Sequence, residues 1–147
     1  MSSRVGDRAP AHCTGLGKVL LAQESEDVLR GYFKSGLRAY TPRTITRMDV
    51  LLPRLSRVRQ EGFALDDEEH EEGVVCVAAP VFDSRRVVAA ISVAGPADRI
   101  RQEIRADRLT EQVLAAADEI SAKFGRVAPT PPAAGKAPAR SSARRKT

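Results

Sequence analysis

The chain has 147 residues, 42% hydrophobic and 29% charged, enough for one compact domain and too little for two sizeable ones. No run of about 18 apolar residues occurs, which excludes a membrane-spanning helix, and the polar segment Met1 to Pro10 lacks the apolar stretch of a secretory signal. The expected compartment is therefore the cytoplasm, where the two cysteines, Cys13 and Cys76, stay as thiols and are too few for a disulfide framework.

The net charge of +5 is unevenly placed. Lys136, Arg140, Arg144, Arg145 and Lys146 follow Val127 with no acidic residue among them, which leaves nineteen basic against nineteen acidic residues in 1–126. The folded part is thus neutral. The tail reads APTPPAAGKAPA from Ala128 to Ala139, with nothing to bury. Residues 127–147 are expected to be a disordered, basic Pro/Ala-rich arm, capable at most of a salt-sensitive, nonspecific contact with nucleic acid.

In chain order, Thr14 is a helix cap for TGLGKVLLA, with Leu16, Val19 and Leu20 as its apolar face. Glu24 to Lys34 is a second short helix, with Val28, Leu29, Tyr32 and Phe33 at helical spacing; Tyr40-Thr41-Pro42 is a connector. Thr46 to Glu61 is a third helix, because Met48, Leu51, Leu52, Leu55 and Val58 recur at i, i+3, i+4, i+7 and i+10 and Gly62 ends it. Pro53 fits only if that helix starts near Asp49 or its first turn is kinked. The period then changes. Phe63 to Asp66 is a short strand; Gly73 to Phe82 and Val87 to Ala94, the second apolar but for Ser92, are buried strands of an antiparallel hairpin. A helix from Asp107 to Phe124, with Leu109, Val113, Ala117 and Ile120 on one face, closes the domain. The count is about four helices and three strands, an α+β domain whose sheet is small.

Three stretches could carry chemistry. In PAHCTGLGK, the spacing is not that of a phosphate-binding P-loop, since Val19 follows Lys18 and no strand precedes. Gly15 and Gly17 either let a small carboxylate approach the free amides at a helix start, or let the helix pack tightly on the sheet. The run Asp66-Asp67-Glu68-Glu69-His70-Glu71-Glu72 reads mostly as a solvated loop. His12, Cys13, Asp66, His70 and Cys76 are ligand types but show no zinc spacing, and no oriented base accompanies either cysteine, so neither metal, cofactor nor enzymatic activity is expected. In the hairpin, Cys76 faces Val93 if the loop has four residues, and Ser92 if it has three or carries a bulge.

PAHCTGLGKVLLA, YTPRTIT, GFALDDEEHEEGVVCVAAPVFD and VVAAISVAGP, in this order and spacing, resemble the C-terminal effector-binding domain of the IclR family of bacterial transcription regulators over roughly residues 5–125. The resemblance implies a GAF-like antiparallel sheet flanked by helices, a pocket for a small organic acid, and assembly into homodimers or tetramers. Carried over by position, the effector site is Gly15, Leu16, Asp66, Val74, Cys76 and Ser92. Ala94 departs from the pattern, since some members place a second pocket serine there. No winged helix-turn-helix or opening strands precede Pro10. Residues 1–126 are thus expected to be an incomplete domain, truncated at its N-terminus and making no sequence-specific DNA contact by itself. The expected function is effector sensing and oligomerisation. The alternative is an interaction protein that pairs with full-length regulators and senses nothing.

Overall fold

In the computed structural model, which describes residue 6 and residues 8–126, five helices surround one three-stranded antiparallel sheet. The elements are α1 (Gly15–Leu21), α2 (Glu26–Tyr32), α3 (Met48–Glu61), β1 (Ala64–Asp67), β2 (Val74–Phe82), β3 (Val87–Pro96), α4 (Ala97–Arg105) and α5 (Arg108–Lys123). The expected tail lies outside the described residues.

Thr14 caps α1 as expected: its Oγ1 accepts from the Gly17 N–H at 3.2 Å. The third helix begins at Met48, so Pro53 falls in its second turn, where the missing N–H leaves the Asp49 carbonyl without its helical donor. Gly62 ends it in the left-handed region, φ +79°.

Strand β2 is the centre of the sheet, with β1 and β3 on either side. Its alternate residues feed two different cores. Ala78 joins Val19, Leu29, Leu51, Leu55 and Ala64 beneath α1 and α3. Val75, Val77, Ala79 and Val81 pack with Ile100, Leu109, Val113 and Ala117 beneath α4 and α5. Burial on both faces is what the unbroken apolar run of β2 required. Ser121, fully buried in α5, is satisfied by donating to the Ala117 carbonyl at 2.6 Å and accepting from the Phe82 N–H at 2.9 Å.

Three expectations need correction. Helix α4 was not anticipated: ADRIRQEIR offers only Ile100 and Ile104 as an apolar pair, and Asp107, in the left-handed region at φ +57°, breaks it from α5. Five helices replace four. Strand β3 is not buried on both faces, because among the described residues it flanks β2 and has no further partner, and Val88 and Val93 are exposed. The register also differs. The hairpin loop has four residues, but the pairing slips between Val81 and Phe82, so Cys76 pairs with Ala94 and Ser92 with Ala78. Alternation still puts Ser92, two residues from Ala94, on the same face as Cys76.

Close packing of α1 generates a test. A Cβ on Gly17 would lie 2.3 Å from the Ala11 backbone, whereas one on Gly31 in α2 meets nothing within 4 Å. Gly17→Ala is expected to lower stability in urea unfolding by more than about 2 kcal/mol. Gly31→Ala should be neutral or raise stability by up to about 1 kcal/mol. Equal effects would contradict the packing.

Candidate functional site

The expected site residues converge on the face of the sheet covered by α1. Asp66 on β1, Cys76 on β2 and Ala94 on β3 form one row across the sheet, and Ser92 sits in the next. Gly15 lies directly over this row: a Cβ there would be 3.0 Å from Cys76 Sγ and 3.1 Å from the Ala78 Cβ. Both glycines of the GLGK run are therefore used for close approach of backbone to its neighbours, and nothing fits between Gly15 and Cys76. Ser92 and Ala94 are partly exposed, so this face is open on its β3 side. Val74 lies further along the same face, opposite Pro96, and the Leu16 side chain points to solvent.

Burial sets the chemistry of these groups. The Cys76 thiol is pushed up by desolvation, while the Ser92 hydroxyl and the Gly15 amide facing its sulfur pull the other way. Cys13, fully buried, is pushed up to about 12 by desolvation and by the nearby Asp66 and Glu69. Neither is an activated nucleophile at neutral pH. The Asp66 carboxyl is also held above its usual range by burial, against the opposing pull of the Glu69 and His70 amides that donate to its Oδ1 at 2.9 and 3.3 Å.

Beside this row sits a feature to which the sequence reading gave no role. Lys18 of α1 is fully buried and its Nζ donates to Glu69 Oε1 at 2.5 Å. Glu69 is itself buried, and desolvation raises its carboxyl against the pull of Lys18. Its Oε2 has no hydrogen-bond partner. The acidic run is therefore only partly a solvated loop: Asp66 and Glu69 point inward, while Asp67 and Glu68 bind Arg101 and Arg43 at the surface. A signal for this was present, since Lys18 lies three residues after Gly15 and one before Val19, on the core-facing stripe of α1. A lysine there demands a buried carboxylate.

The YTPRTIT connector also has a use beyond linking. Thr44 Oγ1 donates to the Glu69 carbonyl at 2.6 Å and accepts from the Tyr40 and Thr41 amides at 2.9 Å, and Thr41 Oγ1 donates to the Glu68 carbonyl at 2.7 Å. These bonds strap the connector onto the loop after β1. His12, buried, contributes a 2.9 Å contact from Nε2 to the Arg38 carbonyl and rings near Phe33 and Tyr40. Among the described residues, no group of three or more His, Cys, Asp or Glu is placed to hold a metal ion, and no helix is long and apolar enough to cross a membrane.

An α+β domain of this fold is shared with the C-terminal domains of a class of bacterial transcription regulators. Residues 1–122 match the family model described as bacterial transcriptional regulator IclR C-terminal. The HTH-type transcriptional repressor AllR of Salmonella typhi is 39% identical over 127 residues, covering 85% of this chain and 46% of that protein. The transcriptional repressor IclR of Escherichia coli is 41% identical over 130 residues, again covering 85% and 46%. Among solved structures, the C-terminal domain of E. coli KdgR superposes with a TM-score of 0.72 at 40% identity, covering 82% of this chain and 74% of that one. A double mutant of the inducer-binding domain of PobR from Acinetobacter, in complex with 3-hydroxybenzoic acid, does so at 0.74 and 33% identity, covering 80% and 69%. The chain belongs to the IclR family, and it spans about half the length of the curated relatives it matches. Those relatives are transcriptional regulators, not enzymes.

Two outcomes follow from the buried charges. Lys18→Met strands Glu69 and is expected to cost about 3–5 kcal/mol in urea unfolding, whereas Lys18→Met combined with Glu69→Leu should recover most of that loss. A double variant no more stable than the single one would show that the pair is not an isolated couple. Because the folded-state Asp66 carboxyl is raised, the folded protein binds its proton more tightly than the unfolded chain does. Its contribution to stability is therefore greatest at or below the unfolded carboxylate pKa of about 4, and falls as pH rises through the folded value. Asp66→Asn, which keeps an acceptor for the two amides, should flatten that decline in melting temperature against pH.

Proposed function

We propose that this domain senses a small organic acid, in the cytoplasm, as the effector-binding and oligomerising part of a transcription regulator. The observation that carries the reading is the convergence of Gly15, Asp66, Cys76 and Ser92 on one sheet face that is open toward β3. A carboxylate entering from that side meets the Ser92 hydroxyl and the Gly15 and Leu16 amides at the start of α1. The Gly15 N–H faces a thiol sulfur, a weak acceptor, so a carboxylate oxygen arriving from the β3 side can share that donor. Asp66 accepts from a ligand hydroxyl or a water, Cys76 completes the polar contacts and Val74 is the apolar wall. The complex of the related PobR domain with a hydroxybenzoic acid supports the ligand class. Ala94 offers no hydroxyl, which leaves Ser92 as the main side-chain donor on β3.

Binding would bias the placement of subunits by favouring one arrangement over another. Exposed Val88 and Val93 on β3 support a contact surface for a dimer or tetramer. They also favour a second reading, a module that pairs with full-length regulators and senses nothing. Co-purification with such a regulator, without heat from any acid tested, would select it.

Isothermal titration of the full chain with small oxo-, hydroxy- and aromatic carboxylates tests the first reading. Saturable binding is expected, weakened about tenfold or more by Ser92→Ala, the loss of one hydrogen bond to a charged group of about 1.5–3 kcal/mol. Binding left intact by Ser92→Ala would remove this site.

A further inference from the structure

A groove of about 310 Å³ lies beyond the β1 edge, lined by Arg54, Leu65, Asp67, Glu69, Val75, Arg101, Ile104 and Arg105. It is a different place from the Cys76–Ser92 row, because Leu65 and Val75 belong to the opposite side of the sheet and pack with α4 and α5. Its apolar walls are Leu65, Val75 and Ile104. Its charges are sorted in a way that matters for recognition. Arg101 is committed to Asp67 and Glu68. Arg54 on α3 and Arg105 on α4 have no carboxylate within ion-pair distance among the described residues, and they stand on elements flanking the groove. Glu69, with a side chain only 10% exposed and Oε2 unpartnered, contributes to the same lining.

A buried carboxylate oxygen without a donor is costly, and in native proteins it ordinarily has a partner. Two guanidiniums outside ion-pair distance of any described carboxylate, Arg54 among them acting on Glu69 only through its longer-range charge, fit a planar carboxylate, which they can grip through paired N–H groups. The apolar walls between these polar ends fit a short hydrocarbon body, and the volume is at the small end of the range for ligand sites, about 300–1,000 Å³. We propose that this groove is a second small-molecule site, specific for a carboxylate with a hydrogen-bond donor on a short apolar body, an amino or hydroxy acid. The carboxylate is held by Arg54 and Arg105, and the donor approaches Glu69. A donor-free acid of the same shape leaves Glu69 unsatisfied and binds less well.

The site does not depend on the effector reading, and its test separates the two. The probes are L-leucine, 2-hydroxy-4-methylpentanoate and 4-methylpentanoate, titrated into the ¹⁵N-labelled full chain up to about 10 mM, the weak-affinity limit for such small ligands. Saturating amide shifts are expected around Leu65, Ile104 and Arg105 with the first two probes, and at least about tenfold weaker binding with the third. Arg54→Ala with Arg105→Ala, both at exposed positions, should weaken binding by about tenfold or more at an unchanged melting temperature. Ser92→Ala should leave it unaltered. No saturable shift with any probe, shifts confined to α1 and β3, or affinity unaffected by the double arginine variant would each overturn the proposal. Equal binding of all three acids would overturn the role of Glu69.

Discussion

The buried ion pair between Lys18 and Glu69 is the constraint around which one side of the molecule is arranged. Helix α1 is only seven residues long, too short to be stable by itself, and it is placed by what it touches. Gly15 presses it onto β2, Gly17 presses it onto the Ala11 backbone, and Lys18 ties it across 51 residues of sequence to the loop after β1. Desolvating an ammonium and a carboxylate is unfavourable, so the pair adds little net stability compared with a hydrocarbon contact. What it supplies is specification. Only one placement of α1 over the sheet satisfies Lys18, and that placement puts Gly15 over Cys76.

The loop that carries Glu69 is held just as tightly from its other side. Asp66 binds the Glu69 and His70 amides, and Thr41 and Thr44 take the Glu68 and Glu69 carbonyls. The left-handed Glu68 turns the chain, while its carboxylate accepts from the Gly73 N–H at 2.7 Å. Backbone polar groups that would be orphaned at the end of a short edge strand are thus satisfied by the threonines of one distant connector and by the segment's own Asp66 and Glu68. A connector rich in threonine is the partner that an acidic inward turn needs, because hydroxyls can donate to carbonyls and accept from amides in the same small space.

Much of the fold was legible because period and punctuation agreed. The leucine spacing of α3 and its terminal glycine, the unbroken apolar run of β2, and the face of α5 each pointed to one structure. The failures have physical causes. Helix α4 has one apolar pair in nine residues, so its burial of Ile100 is a property of the assembled core and leaves little trace in the local pattern. The exposure of β3 depends on its place in the sheet order, which its own residues do not encode. The register turned on one extra residue near Phe82. Of the residues taken from the family likeness, Gly15, Asp66, Cys76 and Ser92 share one sheet face while the Leu16 side chain is exposed, and Lys18 and Glu69 went unread: a lysine and a glutamate in charged surroundings look solvated until their partners are known.

The packing of Gly15 also decides how a ligand can be accommodated. Since no gap separates Gly15 from Cys76, the proposed acid would have no room to lie flat between helix and sheet and would approach over Ser92 and Ala94, on the less covered strand. Glu69 lies in the loop after β1, its N–H donating to Asp66 of that row, and it also lines the second groove. One carboxylate thus touches both surroundings: Oε1 belongs to α1 through Lys18, and Oε2 is the unclaimed acceptor. A donor offered to Oε2 would draw charge away from Oε1 and loosen its hold on Lys18, and any loosening of Lys18 is felt by the helix whose amides face the Ser92 side. If the second groove takes a donor, Glu69 is the side chain through which α1 would feel it.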